Sequence, residues 1–105
     1  MTECSSPFEK VISYIQKVSA KEKKTLTQRV LKLQEEVGEI AEAVLKEEMA
    51  SGMGRKKKRK DEIPAECVDI ILVAIDIFFS TGKKDADLHK LLLKKAAKWQ
   101  SKQSK

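Results

Sequence analysis

Residues 62–80, EIPAECVDIILVAIDIFFS, form the most apolar stretch of this 105-residue chain and decide its fold class. A proline near the start of the stretch is typical of the first turn of a helix, and Gly82 follows where a helix would end. Because the stretch is apolar on nearly every side of a helix, it predicts a central, buried helix. The apolar run from Ile70 to Phe79 is about half of a membrane span and is interrupted by Asp76.

Three further helices are predicted on either side of this stretch. Ser6-Pro7-Phe8-Glu9 is a capping box with proline at the first helical position, and it opens the first helix. Thr25-Leu26-Thr27-Gln28 is a second capping box, and the helix after it runs to about Met49 with apolar residues at intervals of four and three. A fourth helix is expected to start at Asp85 or Asp87. The pattern predicts an all-α fold, a bundle of four to five helices.

Length and charge predict one small domain that associates with copies of itself. The chain spans residues 1–105 and carries 22 basic and 16 acidic residues, a net charge of +6 that suits an anionic partner. A chain of this length buries only a small core, so an oligomer, either a dimer or a tetramer, would complete the bundle. Residues 55–60, RKKKRK, predict a mobile basic loop, and residues 100–105 predict a frayed tail.

The N-terminus and the cysteines indicate a soluble, cytoplasmic protein. The first ten residues, MTECSSPFEK, lack the apolar core of a signal peptide. Cys4 and Cys67 lie far apart and have no CxxC spacing, so two reduced thiols are expected. We therefore expect a protein without membrane association.

Two short acidic phrases predict a metal site. Glu35-Glu36-Val37-Gly38-Glu39 lies on the second helix, and Glu66-Cys67-Val68-Asp69 opens the apolar third helix. Acidic residues three apart share one helix face, and a hairpin would bring the two pairs together. Four close carboxylates repel one another, whereas Mg²⁺, or Mn²⁺ as a possible substitute, would hold them together. The predicted ligands are Glu36, Glu39, Glu66 and Asp69.

These phrases resemble the EExxE and ExxD motifs of the MazG-like, all-α nucleoside triphosphate pyrophosphohydrolases. The motifs occur in the family's order, separated by residues 40–65, and the resemblance covers about residues 8–100. It implies a helical bundle built by at least two protomers. It also implies Mg²⁺-dependent hydrolysis of a nucleoside triphosphate to the monophosphate and pyrophosphate, with house-cleaning of the nucleotide pool as the role.

The resemblance also implies roles for individual residues. It carries the metal-ligand role to the four predicted acids, and it makes Glu35 a water-orienting base or a support for the ligands. The implied catalytic residues are Glu35, Glu36 and Glu39. No Walker A loop is present, so lysines must hold the phosphates. For Asp76, both a nucleotide contact and a buried hydrogen bond are open. The candidate substrate-binding residues are Lys32, Asp76 and Lys83.

Other functions remain open at this point. Glu-rich helices often present their acids to solvent, and the first phrase could be such a face. The heptad-like seam of the second helix would also suit a non-enzymatic oligomerisation module. The basic loop could steer a triphosphate or contact nucleic acid, although the acidic core disfavours DNA as the main ligand. Base and sugar preference are not predicted.

Overall fold

The computed structural model describes residues 6–48 and 62–103, and these residues form four α-helices with no strand among them. This confirms the all-α class. The basic loop predicted at residues 55–60 lies outside the described residues, as does the end predicted for the second helix at about Met49. The helices are α1 (Pro7–Lys21), α2 (Leu26–Glu48), α3 (Glu62–Ser80) and α4 (Asp85–Gln103).

Capping boxes set the starts of α1 and α2. The Ser6 hydroxyl accepts a hydrogen bond from the Glu9 backbone N–H at 3.1 Å, and the Ser6 N–H donates to the Glu9 carboxylate at 3.2 Å. Thr25 and Gln28 make the same reciprocal pair at 3.1 and 2.9 Å. These hydrogen bonds confirm both predicted capping boxes. Each box satisfies backbone donors that the first turn of a helix leaves unpaired.

Local signals also set the connection between α3 and α4. Gly82 follows α3 with a φ of 93°, a left-handed conformation that glycine adopts without a steric cost. The backbone N–H of Lys84 donates to the Asp87 carboxylate at 2.9 Å, which caps the start of α4 at Asp85. At its other end α4 continues through Gln103, into the segment assigned to the frayed tail.

The described residues group into two compact units. The terminal unit comprises residues 6–22 and 78–103, and the central unit comprises residues 23–48 and 62–77. Within the terminal unit, α1 contacts α4. The buried apolar residues of the terminal unit are Ile12, Ile15, Phe79 and Leu88.

In the central unit, α2 and α3 run antiparallel, because ion pairs join their opposite ends. Arg29, near the start of α2, lies 3.0 Å from Asp76 near the end of α3. Lys46, near the end of α2, lies 4.0 Å from Glu62 at the start of α3. This is the hairpin that the acidic phrases require, and it places the middle of α2 beside the first turns of α3.

The buried stripe of α2 differs from the predicted apolar seam. Arg29, Glu36 and Ala43 are buried at seven-residue intervals, whereas Val30 and Val37 of the seam are 44% and 46% exposed. Val30 and Val37 each come one position after a buried residue, so each is rotated by about 100° around the helix axis from that residue. Arg29 pairs with Asp76 of α3 across the hairpin, whereas Glu36 pairs with Lys32 of its own helix. Val30 and Val37 of the seam are left exposed on the single chain, while Leu33, Ile40 and Val44 of the same seam are partly buried.

α3 is likewise not the buried central helix that the sequence predicts. Ile75 and Phe79 are buried, but Val68, Ile71 and Leu72 are exposed. A chain this short has too few elements to cover every side of an apolar helix. None of the helices in the described ranges has both the length and the apolar character needed to cross a lipid bilayer.

Candidate functional site

Three glutamates meet in the central unit where α2 and α3 pass each other. One carboxylate oxygen from each of Glu36, Glu39 and Glu66 lies within 4.8 Å of the others. Glu36 and Glu39 are three residues apart on α2, and Glu66 comes from the beginning of α3. The antiparallel hairpin thus brings together three of the four predicted metal ligands, which we call the glutamate group.

The glutamate group is electrostatically unsatisfied. The Glu36 side chain is only 9% exposed. One buried oxygen of Glu36 and one of Glu66 have no hydrogen-bond partner in the described part of the chain. Loss of hydration raises the pKa of Glu66, and the negative charges of Glu39 and the other nearby carboxylates raise it further. Among residues 6–48 and 62–103, these two oxygens have no positive partner of the kind that buried carboxylates need.

The glutamate group fits a hard divalent cation. Mg²⁺ binds carboxylate oxygens and retains several water molecules, so it needs only a few protein ligands. The two unpartnered oxygens come from different helices, and a cation between them would satisfy both. The residues that would hold the ion are Glu36, Glu39 and Glu66.

Lys32 places a positive charge beside the glutamate group. Its Nζ lies 3.2 Å from Glu36 Oε2 and 3.6 Å from Glu35 Oε1. The hydrogen bond to Glu36 raises the pKa of Lys32, and the charge of Glu35 contributes further. Glu36 therefore faces a lysine through one oxygen and has an unpartnered second oxygen.

Asp69 and Glu35 lie outside the glutamate group. Asp69 is exposed on α3, and its charge helps to raise the pKa of Glu66. The Glu35 side chain is 60% exposed and contacts Lys32. The metal-ligand role of Asp69 and the catalytic role of Glu35 remain predictions.

Asp76 makes a polar contact within the hairpin. Its Oδ1 accepts a hydrogen bond from Arg29 Nη1 at 3.0 Å, and Arg29 Nε donates to the backbone carbonyl of Lys24 at 3.1 Å. Of the two roles left open for Asp76, the structure shows the hydrogen bond, and nucleotide contact stays a prediction. Lys83 is exposed just before α4, in the terminal unit.

Arg29 is the structural residue that the sequence reasoning missed. It is buried, and it lies seven residues before Glu36, so the two share a helix face. Apolar periodicity on the adjacent face of α2 is the stronger pattern, so the sequence pattern does not single out Arg29. A search for an arginine two helical turns from an acidic phrase would have found it.

A shallow, open cleft adjoins the glutamate group along α2. Its volume is about 310 Å³. Lys32 lines the cleft and also contacts Glu36, so the cleft and the glutamate group share this side chain. The residues that line the cleft are Lys24, Gln28, Leu31, Lys32 and Glu35.

Comparison of the chain with protein-family models, with curated proteins and with solved structures found no match. The MazG-like resemblance therefore stays a prediction from two motifs. A function for this chain has to be inferred from the chemistry of its own residues.

Proposed function

We propose that this protein is a Mg²⁺-dependent nucleoside triphosphate pyrophosphohydrolase, which converts a (d)NTP to the (d)NMP and pyrophosphate. The observation that carries the proposal is the glutamate group, in which a buried oxygen of Glu36 and one of Glu66 have no hydrogen-bond partner among the described residues. The resemblance of both acidic phrases to the MazG-like motifs supports the same activity. Mn²⁺ is the expected substitute ion.

The chemistry requires a water oxygen to bond to the α-phosphorus while the bond from that phosphorus to the pyrophosphate oxygen breaks. A divalent ion, when bound, supplies charge neutralisation and a water of lowered pKa. Glu36, Glu39 and Glu66 hold negative charge at a fixed place, so they disfavour the bare polyphosphate and favour nucleotide that arrives with a cation. The proton of the attacking water leaves on the side of the α-phosphorus opposite the departing pyrophosphate, where a carboxylate of the glutamate group or solvent accepts it.

We also propose that the active form is a homo-oligomer, a dimer or a tetramer. The single chain leaves apolar side chains exposed on both helices of the central unit. Covering such surface is the main source of stability in protein association. The exposed apolar residues that would meet a second copy include Val30, Val37, Val68 and Ile71.

Pyrophosphate release from a panel of canonical and modified dNTPs, with Mg²⁺ present, tests the enzymatic proposal. Glu39→Gln keeps the size of the side chain but removes one ligand charge, and we expect it to abolish turnover. Glu42→Gln is the matched control, because Glu42 is an exposed glutamate of the same helix outside the glutamate group. Unchanged turnover in Glu39→Gln, or no release from any dNTP by the folded protein, would refute the proposal.

A non-enzymatic oligomerisation module is the second candidate. The exposed apolar seam of α2 favours it, since such a seam is typical of helices that pair with other helices. This candidate predicts an oligomer whose thermal stability does not respond to Mg²⁺ or nucleotide. A rise in melting temperature on adding Mg²⁺ that Glu39→Gln eliminates would exclude it as the whole function.

A further inference from the structure

We propose that the cleft beside the glutamate group is an anion subsite, which takes the terminal two phosphates of a nucleoside triphosphate or free pyrophosphate. The nucleotide part of this inference rests on the proposed function. The phosphate part can be tested by binding alone.

The position of the cleft fits a polyphosphate that extends away from the glutamates. Gln28, Lys32 and Glu36 follow one another at four-residue intervals, so they lie on nearly the same side of α2 and about 6 Å apart along its axis. Lys24 precedes the helix and lines the same cleft. A substrate whose α-phosphate lies at the glutamate group can therefore run past Lys32 towards Lys24.

The lining offers the donors that phosphate oxygens bind. Lys24 and Lys32 each carry an ammonium group with three N–H donors. The Gln28 carboxamide oxygen accepts from the backbone N–H of Thr25, so the NH₂ of that amide is the part able to donate to an anion. The cleft is shallow, which suits a small ligand held by charge more than a ligand held by burial.

Glu35 is the negative group in this lining, and phosphate must replace it at Lys32. The pair between Glu35 and Lys32 is long, at 3.6 Å, and both side chains are largely exposed. Exposed pairs of this kind contribute little stability, and a pyrophosphate carries more charge than one carboxylate. The exchange is therefore favourable.

Lys32 couples the cleft to the glutamate group. Its contact with Glu36, at 3.2 Å, neutralises a carboxylate that a divalent cation would also use. A cation on the unpartnered oxygen of Glu36 would draw negative charge from that carboxylate, weaken its hold on Lys32 and leave Lys32 to the phosphates. We therefore expect cation and pyrophosphate to strengthen each other's binding.

Titration calorimetry with inorganic pyrophosphate, in buffer containing Mg²⁺, tests the subsite. Lys24→Gln and Lys32→Gln should each weaken pyrophosphate binding about tenfold, because each removes a charged hydrogen-bond donor. Lys23→Gln is the matched control: Lys23 is exposed and adjacent to Lys24 but does not line the cleft. We expect that control to lose less than about twofold. Equal losses in all three variants, or no binding by the wild-type protein, would overturn the subsite.

Two further measurements separate the subsite from the enzyme. Binding of a dNMP should be unchanged in both cleft variants, and an equal loss for dNMP and pyrophosphate would overturn the assignment to the terminal phosphates. Lys32→Arg keeps the positive charge and should therefore retain pyrophosphate binding. Circular dichroism checks that each variant is helical. Lysine-dependent pyrophosphate binding without any turnover would support the subsite and refute the enzyme. Turnover that pyrophosphate inhibits equally in the wild type and in every variant would support the enzyme and refute the subsite.

Discussion

The terminal and central units bury different kinds of residue. In the terminal unit, apart from Ser19, the buried residues are apolar, and helices α1 and α4 contact each other there. In the central unit, two of the buried residues are charged, whereas exposed apolar residues occur in both units. The buried charged residues are Arg29 and Glu36.

This difference is the reason that we place the proposed function in the central unit. Apolar burial stabilises a fold without needing any ligand. Buried charges contribute stability only when they are paired, and an unpaired one is costly. Arg29 has its partner in Asp76, whereas one oxygen of Glu36 has none among the described residues. The first pair therefore joins the two helices of the hairpin, and the glutamate group is where we place the proposed cation.

Breaking the pair between Arg29 and Asp76 should have the largest effect on stability. Arg29→Met removes the arginine partner of Asp76, and we expect a loss of about 3 kcal/mol in the free energy of unfolding, because Asp76 is only partly buried. Combining Arg29→Met with Asp76→Leu should recover most of that loss, since an apolar pair of similar size often replaces a buried ion pair. Urea denaturation at fixed protein concentration measures both. A single variant that loses less than about 1 kcal/mol would show that the hairpin does not depend on this pair.

A smaller effect is expected from pH. The raised pKa of Glu66 means that the folded chain binds its proton more tightly than the unfolded chain does. The stability from this proton is fully present below the ordinary pKa of 4.5 and is lost as pH rises through the raised pKa. In EDTA, therefore, Glu66 should contribute less stability at pH 7 than at pH 5.

Glu66→Gln isolates this contribution, because glutamine does not titrate. The melting temperature of the wild type relative to Glu66→Gln should fall as pH rises from 5 to 7 in EDTA. Added Mg²⁺ competes with the proton, so it should stabilise the wild type more at pH 7 than at pH 5. Glu42→Gln serves as the control and should follow the wild type. Parallel pH profiles for wild type and Glu66→Gln would contradict the raised pKa.

The smallest effect on the unfolding of a single chain is expected at the apolar seam. Val37 is 46% exposed in the central unit and Val18 is 49% exposed in the terminal unit, so they form a matched pair. Val37→Lys should change the stability of the monomer by less than about 0.5 kcal/mol. It should nevertheless shift the protein from oligomer to monomer in analytical ultracentrifugation, whereas Val18→Lys should not. If Val18→Lys dissociated the oligomer and Val37→Lys did not, the interface would have to be assigned to the terminal unit.

The helices themselves could be predicted from local sequence. Both capping boxes, the glycine after α3 and the start of α4 lie where short-range signals indicate them, because a cap depends on residues within one turn. The encounter of Glu36, Glu39 and Glu66 was also predictable, since helical spacing and a hairpin suffice to produce it. The motif pattern alone could not place the exposed Asp69 relative to the other three acids.

What the sequence alone determined, then, is the set of helices, the starts of α1, α2 and α4, the end of α3, and the acidic faces on two of the helices. Only the tertiary structure decided which side of α2 turns inward. The polar stripe through Arg29 and Glu36 and the apolar seam through Val30 and Val37 differ by about 100° of rotation, and periodicity favours the seam. The choice depends on Asp76, which is distant in sequence and meets Arg29 only after the hairpin has formed. Contacts between residues so far apart in sequence form only in the folded chain. Local periodicity therefore does not show which face of a helix will meet the neighbouring helix.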